Sequence, residues 1–191
     1  MPTRGSAYVP SLLEAQRVAQ RFDGELLVEI GRPIELVRTR IVTRFMESGA
    51  DYLLTIDDDI IAPADAAERL LALDAAVATA VYPQWLDDRL LTNVQARAGA
   101  AWSESVPPSV FPVRRCLLGC VLVRREVFEK IPAPRFLSTI SGSRFIADDE
   151  WFCDAVQRTG LRLLCDGRIT CGSIRQGTDL LPLMGERIHT G

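Results

Sequence analysis

Three consecutive carboxylates, Asp57, Asp58 and Asp59, follow an apolar run in "GADYLLTIDDDIIAP". At about 5 Å and an effective dielectric near 20, each pair of like charges costs roughly 3 kcal/mol. A fold tolerates that where a cation, a proton or a set of donors offsets it. Two carboxylates one residue apart, on a turn leaving a strand, suit a metal-bound nucleotide. One accepts from a ribose hydroxyl, and the other coordinates a divalent ion bridging two phosphates. Hard oxygen ligands select Mg2+ or Mn2+. The rival reading is a polar turn, since Asp is a common turn residue. A second acidic group, Asp148, Asp149 and Glu150, opens "ADDEWFCDAVQRTG". A carboxylate there either caps a helix or acts as a general base, kept ionised by the helix dipole.

The elements that must position these groups alternate along the chain. "PSLLEAQRVAQRF" predicts a helix with Ser11 and Glu14 as a capping box. "GELLVEI" predicts a short strand, and "RPIELVRTRIVTRFMES" a helix with Ile34, Val37, Ile41 and Phe45 at helical spacing. "DYLLTID" reads as a strand buried on both faces. "PADAAERLLALD" predicts a second capped helix, with Asp65 and Glu68 in the box positions, and "AAVATAVY" another buried strand. The alternation implies an α/β fold with a mostly parallel central sheet and helices on both faces. Ligands bind outside the carboxyl ends of strands in such sheets, which is where Asp57 to Asp59 fall.

Beyond Tyr82, "LLTNVQARAGAAW" predicts an edge strand and "SESVPPSVFP" an irregular loop. "RRCLLGCVLVRREVFEKI" predicts a strand carrying Gly119 and then a short helix. "ADDEWFCDAVQRTG" predicts a helix with Gly160 at C′, and "LRLLCDGRITCGS" one or two final strands. The tail from Ile174 is expected to be a surface loop. "MPTRG" resembles the end of a strand, so the first strand is expected to be truncated or to begin upstream. We expect one domain over 1–191, with a nucleotide-binding half (1–82), an acceptor and catalytic half (83–173) and a tail (174–191).

The 191 residues are 48% hydrophobic and 25% charged, the proportions of an ordinary globular protein. The formal net charge of −3 gives no basic footprint for duplex nucleic acid. Lys130 is the only lysine, so the positive charge is almost all arginine, which suits bidentate phosphate contacts. The 5 cysteines include no CxxC and are expected to be buried and reduced. No stretch is apolar enough to span a bilayer, and the amino terminus has no signal-peptide core, so a cytoplasmic location is expected.

The ordered set "YLLTIDDDIIAP", "AVATAVYP", "LLGCVLVRREVFEKI" and "ADDEWFCDAVQRTGLRLLCDGRITCGS" resembles a GT-A fold glycosyltransferase of the family-two type. The resemblance runs from about Pro2 to Ser173. It implies that Asp57 and Asp59 are the DxD pair, holding nucleotide and metal, with Asp58 beside them. It implies that Pro2, Thr3 and Arg4 lie in the loop that contacts the base, and that Arg38 contacts the nucleotide. Gly119 and Cys120 are implied where donor and acceptor sugars meet, with Asp149 the general base of an inverting transfer. Asp148 is then a helix cap or a sugar contact. Many relatives carry a histidine metal ligand where this chain has Ser173; the expectation is then either a metal held by Asp59 and the diphosphate alone, or Arg175 replacing part of its charge. His189, the only histidine, is expected to be solvated.

The implied donor is a nucleotide sugar, a UDP-sugar first, with a divalent metal (Mn2+ or Mg2+). The hydroxyl acceptor is open among a saccharide, a lipid carrier, a protein side chain and a modified nucleic-acid base. A non-catalytic sugar- or nucleotide-binding protein of the same fold is the alternative. An aspartyl phosphohydrolase using Asp57 is a further one, which would need a catalytic lysine. Asp87 and Asp88 are read as a solvated turn, and Trp85, Trp102 and Trp151 as packing residues.

Overall fold

The computed structural model describes residues 9–86, 89–97, 100–175 and 179–181. The apolar runs become one five-stranded sheet. From edge to edge its strands are β1 (Tyr52–Ile56), β9 (Cys120–Arg124), β3 (Val77–Val81), β12 (Leu163–Thr170) and β7 (Val110–Pro112). Successive side chains alternate between its faces, as a period of two requires. Val77, Val81, Val121, Val123 and Leu163 meet α2 (Ile34–Ser48), α4 (Arg125–Lys130) and α5 (Asp148–Arg158) through Val42, Phe45, Phe128 and Phe152. Ala78, Ala80, Cys120, Leu122 and Ile169 face the other way, onto Ala66 and Leu70 of α3 (Ala66–Leu71). Beside α3 lies α1 (Val9–Arg21), whose Arg21 donates to the Ala64 carbonyl at 2.9 Å and pairs with Glu68.

A ladder of rings locks α2 to α5 across α4. Phe45 and Phe128 lie 5.8 Å apart, Phe128 and Phe152 5.9 Å, and Phe152 and Phe136 5.4 Å. Each buried ring stabilises the fold by about 1.5–3 kcal/mol. The guanidinium of Arg125 covers the last turn of α2, donating to the carbonyls of Phe45 (2.9 Å), Met46 (3.0 Å) and Ala50 (2.7 Å). Gly49 ends that helix at φ +78°, where a side chain would be strained.

Smaller pairings complete the fold. β2 (Ile60–Ile61) pairs with β13 (Gly172–Arg175), which pairs with β14 (Asp179–Leu181). β4 (Pro83–Leu86) and β5 (Arg89–Thr92) form a hairpin, β6 (Val94–Gln95) pairs with β8 (Arg115–Cys116), and β10 (Thr139–Ser141) pairs with β11 (Arg144–Ile146).

A mixed α/β fold in one domain, with helices on both faces, therefore holds. The mostly parallel sheet does not: β3–β12 is the one parallel pair, and the other three are antiparallel. β9 runs opposite to both its neighbours, and β7 runs opposite to β12. Helix α1 begins at Val9, so Ser11 lies inside it rather than at a cap. Asp65 does occupy an N-cap, without a side-chain cap bond. Gly24 to Ile30 is no strand, because no described strand pairs with it. Its Glu25 and Glu29 reach Arg44 of α2 at 3.4 Å, while Leu26, Val28 and Ile30 are exposed. The sheet edge is built from the expected loop, through β7, while the expected edge strand forms β5 and β6 outside the central sheet. Residues 174–175 belong to β13 rather than to a loop. Gly160, at φ +77°, follows α5 as expected, and all five cysteines are buried and free. No described helix is long and apolar enough to cross a membrane.

Candidate functional site

Strand β1 ends where Asp57 begins, and the turn there is closed from both sides. The Asp57 amide donates to the Gly119 carbonyl at 2.9 Å, and the Ile60 amide to the Asp57 carbonyl at 3.0 Å. Gly119 in turn donates its amide to the Tyr82 hydroxyl at 2.9 Å. A Cβ on Gly119 would lie 2.6 Å from that oxygen, so only glycine permits the approach. Burial, reinforced by the charge of Asp57, pushes the Tyr82 phenol well above its usual range. Tyr82, Gly119 and Asp57 thus form a chain from the end of β3 through the start of β9 to the end of β1. Cys120, expected beside the sugars, is fully buried opposite Ile56.

Helix α2 carries Arg38 to the same place. Its guanidinium pairs with Asp148 in the first turn of α5, and a second nitrogen lies 3.8 Å from Asp57 Oδ2. Asp148 is 5% exposed, the N-cap position is Ala147, and no side chain caps the helix. Asp148 is therefore the buried counter-ion of Arg38, and the cap role expected for it is not seen. Asp149, half-buried next to it, accepts from the Glu150 amide at 2.7 Å. Burial pushes Asp149 up to about 6, with Arg38 opposing and Asp148 reinforcing. Asp59 is also pushed up to about 6, by burial and then by Asp57 and Asp58. Burial raises Asp57, against the pull of Arg38. Arg38 remains charged: its burial is outweighed by Asp57, Asp148 and Asp149, which raise it.

The strand that carries Ser173 adjoins the aspartates. Ser173 pairs with Ile60, and the Ile174 amide donates to the Asp59 carbonyl at 2.8 Å. Asp57, Asp58, Asp59, Asp148 and Asp149 thus gather around the carboxyl end of β1, with Arg38 as the guanidinium that pairs with two of them.

No protein-family model matches the sequence, and no curated protein does. The chain is similar in fold to A197 from STIV, known from its crystal structure, with a TM-score of 0.69 and 19% identity over 99% of this chain and 93% of that one. At that identity the likeness speaks for the fold alone.

The remaining expected residues divide in two. Pro2, Thr3, Arg4, Asp87, Asp88 and His189 lie outside the described residues, while Arg175 closes β13 one residue beyond the Asp59 contact. Lys130 pairs with Glu126 on α4, beyond the end of β9 opposite Gly119, so the phosphohydrolase reading has no lysine beside Asp57. Among the described residues, no group of three or more His, Cys, Asp or Glu side chains is arranged to hold a metal ion by itself. The oxygen donors at this turn are carboxylates, with the Arg38 guanidinium beside them, a hard donor set that fits Mg2+ or Mn2+ only if the substrate supplies further oxygens. The Arg38–Asp148 pair and the Tyr82–Gly119 contact escaped the sequence reading. Partners 110 residues apart leave no spacing to read.

Proposed function

We propose that the chain is a nucleotide-sugar-dependent glycosyltransferase of GT-A type, inverting, with Asp149 as general base. One observation carries the reading: Arg38 holds Asp57, at the end of β1, and Asp148, at the head of α5, in one cluster. The two acidic motifs read from the sequence as nucleotide-binding and catalytic therefore share a site.

In this reading the acceptor oxygen bonds to the anomeric carbon as the bond from that carbon to the diphosphate oxygen breaks. Asp149 takes the acceptor's proton; general-base assistance of this kind contributes about 10²–10⁴-fold. Its elevated proton affinity suits the task, because a base tuned upward accepts a proton more readily near neutrality. Asp148 keeps Asp149 in place by anchoring the first turn of α5. Asp57 and Asp59 would hold a divalent cation, whose contribution is to neutralise charge on the departing diphosphate. The UDP-sugar remains the first choice of donor.

Thermal shift with UDP, GDP, CMP and dTDP, each with and without Mn2+, tests the reading. Saturation at about 100 times Kd contributes about 2.7 kcal/mol, hence a rise of several degrees. Asp57→Ala should abolish the shift. Asp149→Asn should keep the shift and lose sugar transfer. A protein that no nucleotide stabilises is not this enzyme, and one that binds but never transfers is the non-catalytic alternative.

A further inference from the structure

Beneath the head of α5 two thiols face each other, and the chemistry proposed above uses neither. The sulfurs of Cys116, in β8, and Cys153, in α5, lie 4.0 Å apart. The Cys153 sulfur also lies 3.4 Å from both the amide nitrogen and the carbonyl oxygen of Cys116. A disulfide spans Cα atoms about 4.4–6.8 Å apart. A sulfur already touching its partner's backbone meets that span, so side-chain rotation closes most of the remaining gap between the sulfurs. The two backbones are also pinned at this separation by charge. Arg115, the residue before Cys116, pairs with Glu150 and, at 2.8 Å, with Asp154, the residue after Cys153.

The pair is slow to react once the chain is closed. Both thiols are buried. The hydrogen bond with Cys153, together with burial, holds the Cys116 thiol well above its usual range, so little reactive thiolate is present in the folded protein. Oxidation therefore belongs to folding, or to an opening that lifts α5 from β8. A bond made then is shielded from reductants afterwards by the same burial. Cys153 lies one helical turn beyond Asp149, so a covalent tie at Cys153 fixes the turn that carries Asp149.

We propose that Cys116 and Cys153 form a disulfide when the folding or opened chain meets a small-molecule disulfide, and that this bond latches the head of α5 to β8. One protein thiolate attacks the small disulfide and expels half of it as a thiolate. The second protein thiolate attacks the sulfur of the protein in that mixed disulfide and expels the other half. The protein loses two protons and two electrons, and the small disulfide is reduced to two thiols. The latch does not depend on the glycosyl-transfer reading.

Incubating the full chain with oxidised glutathione a few degrees below its melting temperature, where opening admits the reagent, tests it. The product is alkylated in denaturant, digested and mapped by mass spectrometry, beside a sample kept in reductant. A Cys116–Cys153 cross-linked peptide is expected, with Cys165 alkylated. Closing a loop between residues 37 apart should raise Tm by about 8–15 °C over the reduced chain, and reductant added in denaturant before refolding should remove the rise. Cys116→Ala or Cys153→Ala should abolish the difference between oxidised and reduced samples. Cys165→Ala, at a thiol close enough to influence Cys116, should keep it. The comparison is made within each chain, so a variant's own loss of stability does not enter. Should a variant fail to fold, the peptide map of the parent decides. All five thiols alkylated, glutathione adducts that never resolve, or a cross-link from either sulfur to another cysteine would each overturn the bond. A Cys116–Cys153 bond with unchanged Tm would overturn the latch.

Discussion

Replacing Arg38 by Met removes the guanidinium while keeping most of the apolar stem. It leaves Asp148, 5% exposed, without its partner. Breaking a buried ion pair from one side costs about 3–5 kcal/mol, because the remaining charge stays buried. The contact to Asp57, at 3.8 Å, is worth about 4 kcal/mol at a dielectric near 20. The Asp57 side chain is 42% exposed, however, and solvent screening reduces that contact to about 1 kcal/mol or less. The buried pair dominates. For a chain of this size each kcal/mol moves Tm by about 2–4 °C, so Arg38→Met should melt roughly 10 °C below the parent at pH 7. The deficit should narrow at pH 5, because Asp57, already raised by burial, loses the guanidinium that lowers it and takes up a proton more readily. Arg38→Met with Asp148→Leu should recover most of the loss, since an apolar pair of similar volume replaces a buried ion pair at little cost. Calorimetry or circular-dichroism melts at both pH values read all of this. A single variant that melts within about 2 °C of the parent, or a double variant with no recovery, would refute the claim that Arg38 is what joins the two acidic groups.

Asp149→Asn should lower sugar transfer by about 10²–10⁴-fold, measured by product formation from a UDP-sugar, and should raise Tm at pH 7, because it removes a charge that burial disfavours. The parent's transfer rate should rise with pH through a midpoint near the value of about 6 that burial gives Asp149, because only the ionised form is a base. Asp149 and Asp59, both held at about 6 when folded and lower when unfolded, bind protons more tightly in the native state. Their contribution to stability should therefore grow as pH falls from about 6 toward 4, and Tm at low salt should be higher at pH 5 than at pH 7. Saturating Mn2+ should reverse that order if Asp57 and Asp59 hold the ion. Gly119→Ala forces a methyl to within 2.6 Å of the Tyr82 hydroxyl and should destabilise by about 1–3 kcal/mol. Tyr82→Phe in the same chain, which removes the obstructing oxygen, should recover part of that in denaturant titrations.

The legible part of this fold was the burial of its strands. Val77–Val81 and Cys120–Arg124 are apolar runs that sit inside, whereas Tyr52–Ile56, expected to be buried on both faces, is only half-buried because it forms an edge of the sheet. Their directions were not legible, because a strand buried on both faces carries the same residues whether its neighbour runs with it or against it. β7 was hidden by its length of three residues and by the prolines around it. "GELLVEI" shows the opposite failure: its residues suit a strand, but pairing needs a partner that composition does not reveal. In the site, Asp57 and Asp149 were visible because runs of carboxylates are costly without a reason. Arg38 was visible as a candidate but with a different task, since its tie to Asp148 exists only in three dimensions.

The reversed direction of β9 is what assembles the site. Because β9 opposes β1, its first residues rather than its last lie beside Asp57, and Gly119 can bond both the Asp57 amide and the Tyr82 hydroxyl. A parallel neighbour would have carried that turn to the far end of the sheet. The aromatic ladder then fixes α5 relative to α2, so that Arg38 meets Asp57 and Asp148 together. A turn that merely ended a strand would shed its charge by pointing all three aspartates into water. Here Asp57 is held by two backbone bonds against a buried tyrosine, and α5 brings two more carboxylates toward it. Arg38 pairs with two of the five. The uncompensated remainder is charge that a bound cation would neutralise; in the free protein Asp59 and Asp149, both raised to about 6, take up protons instead.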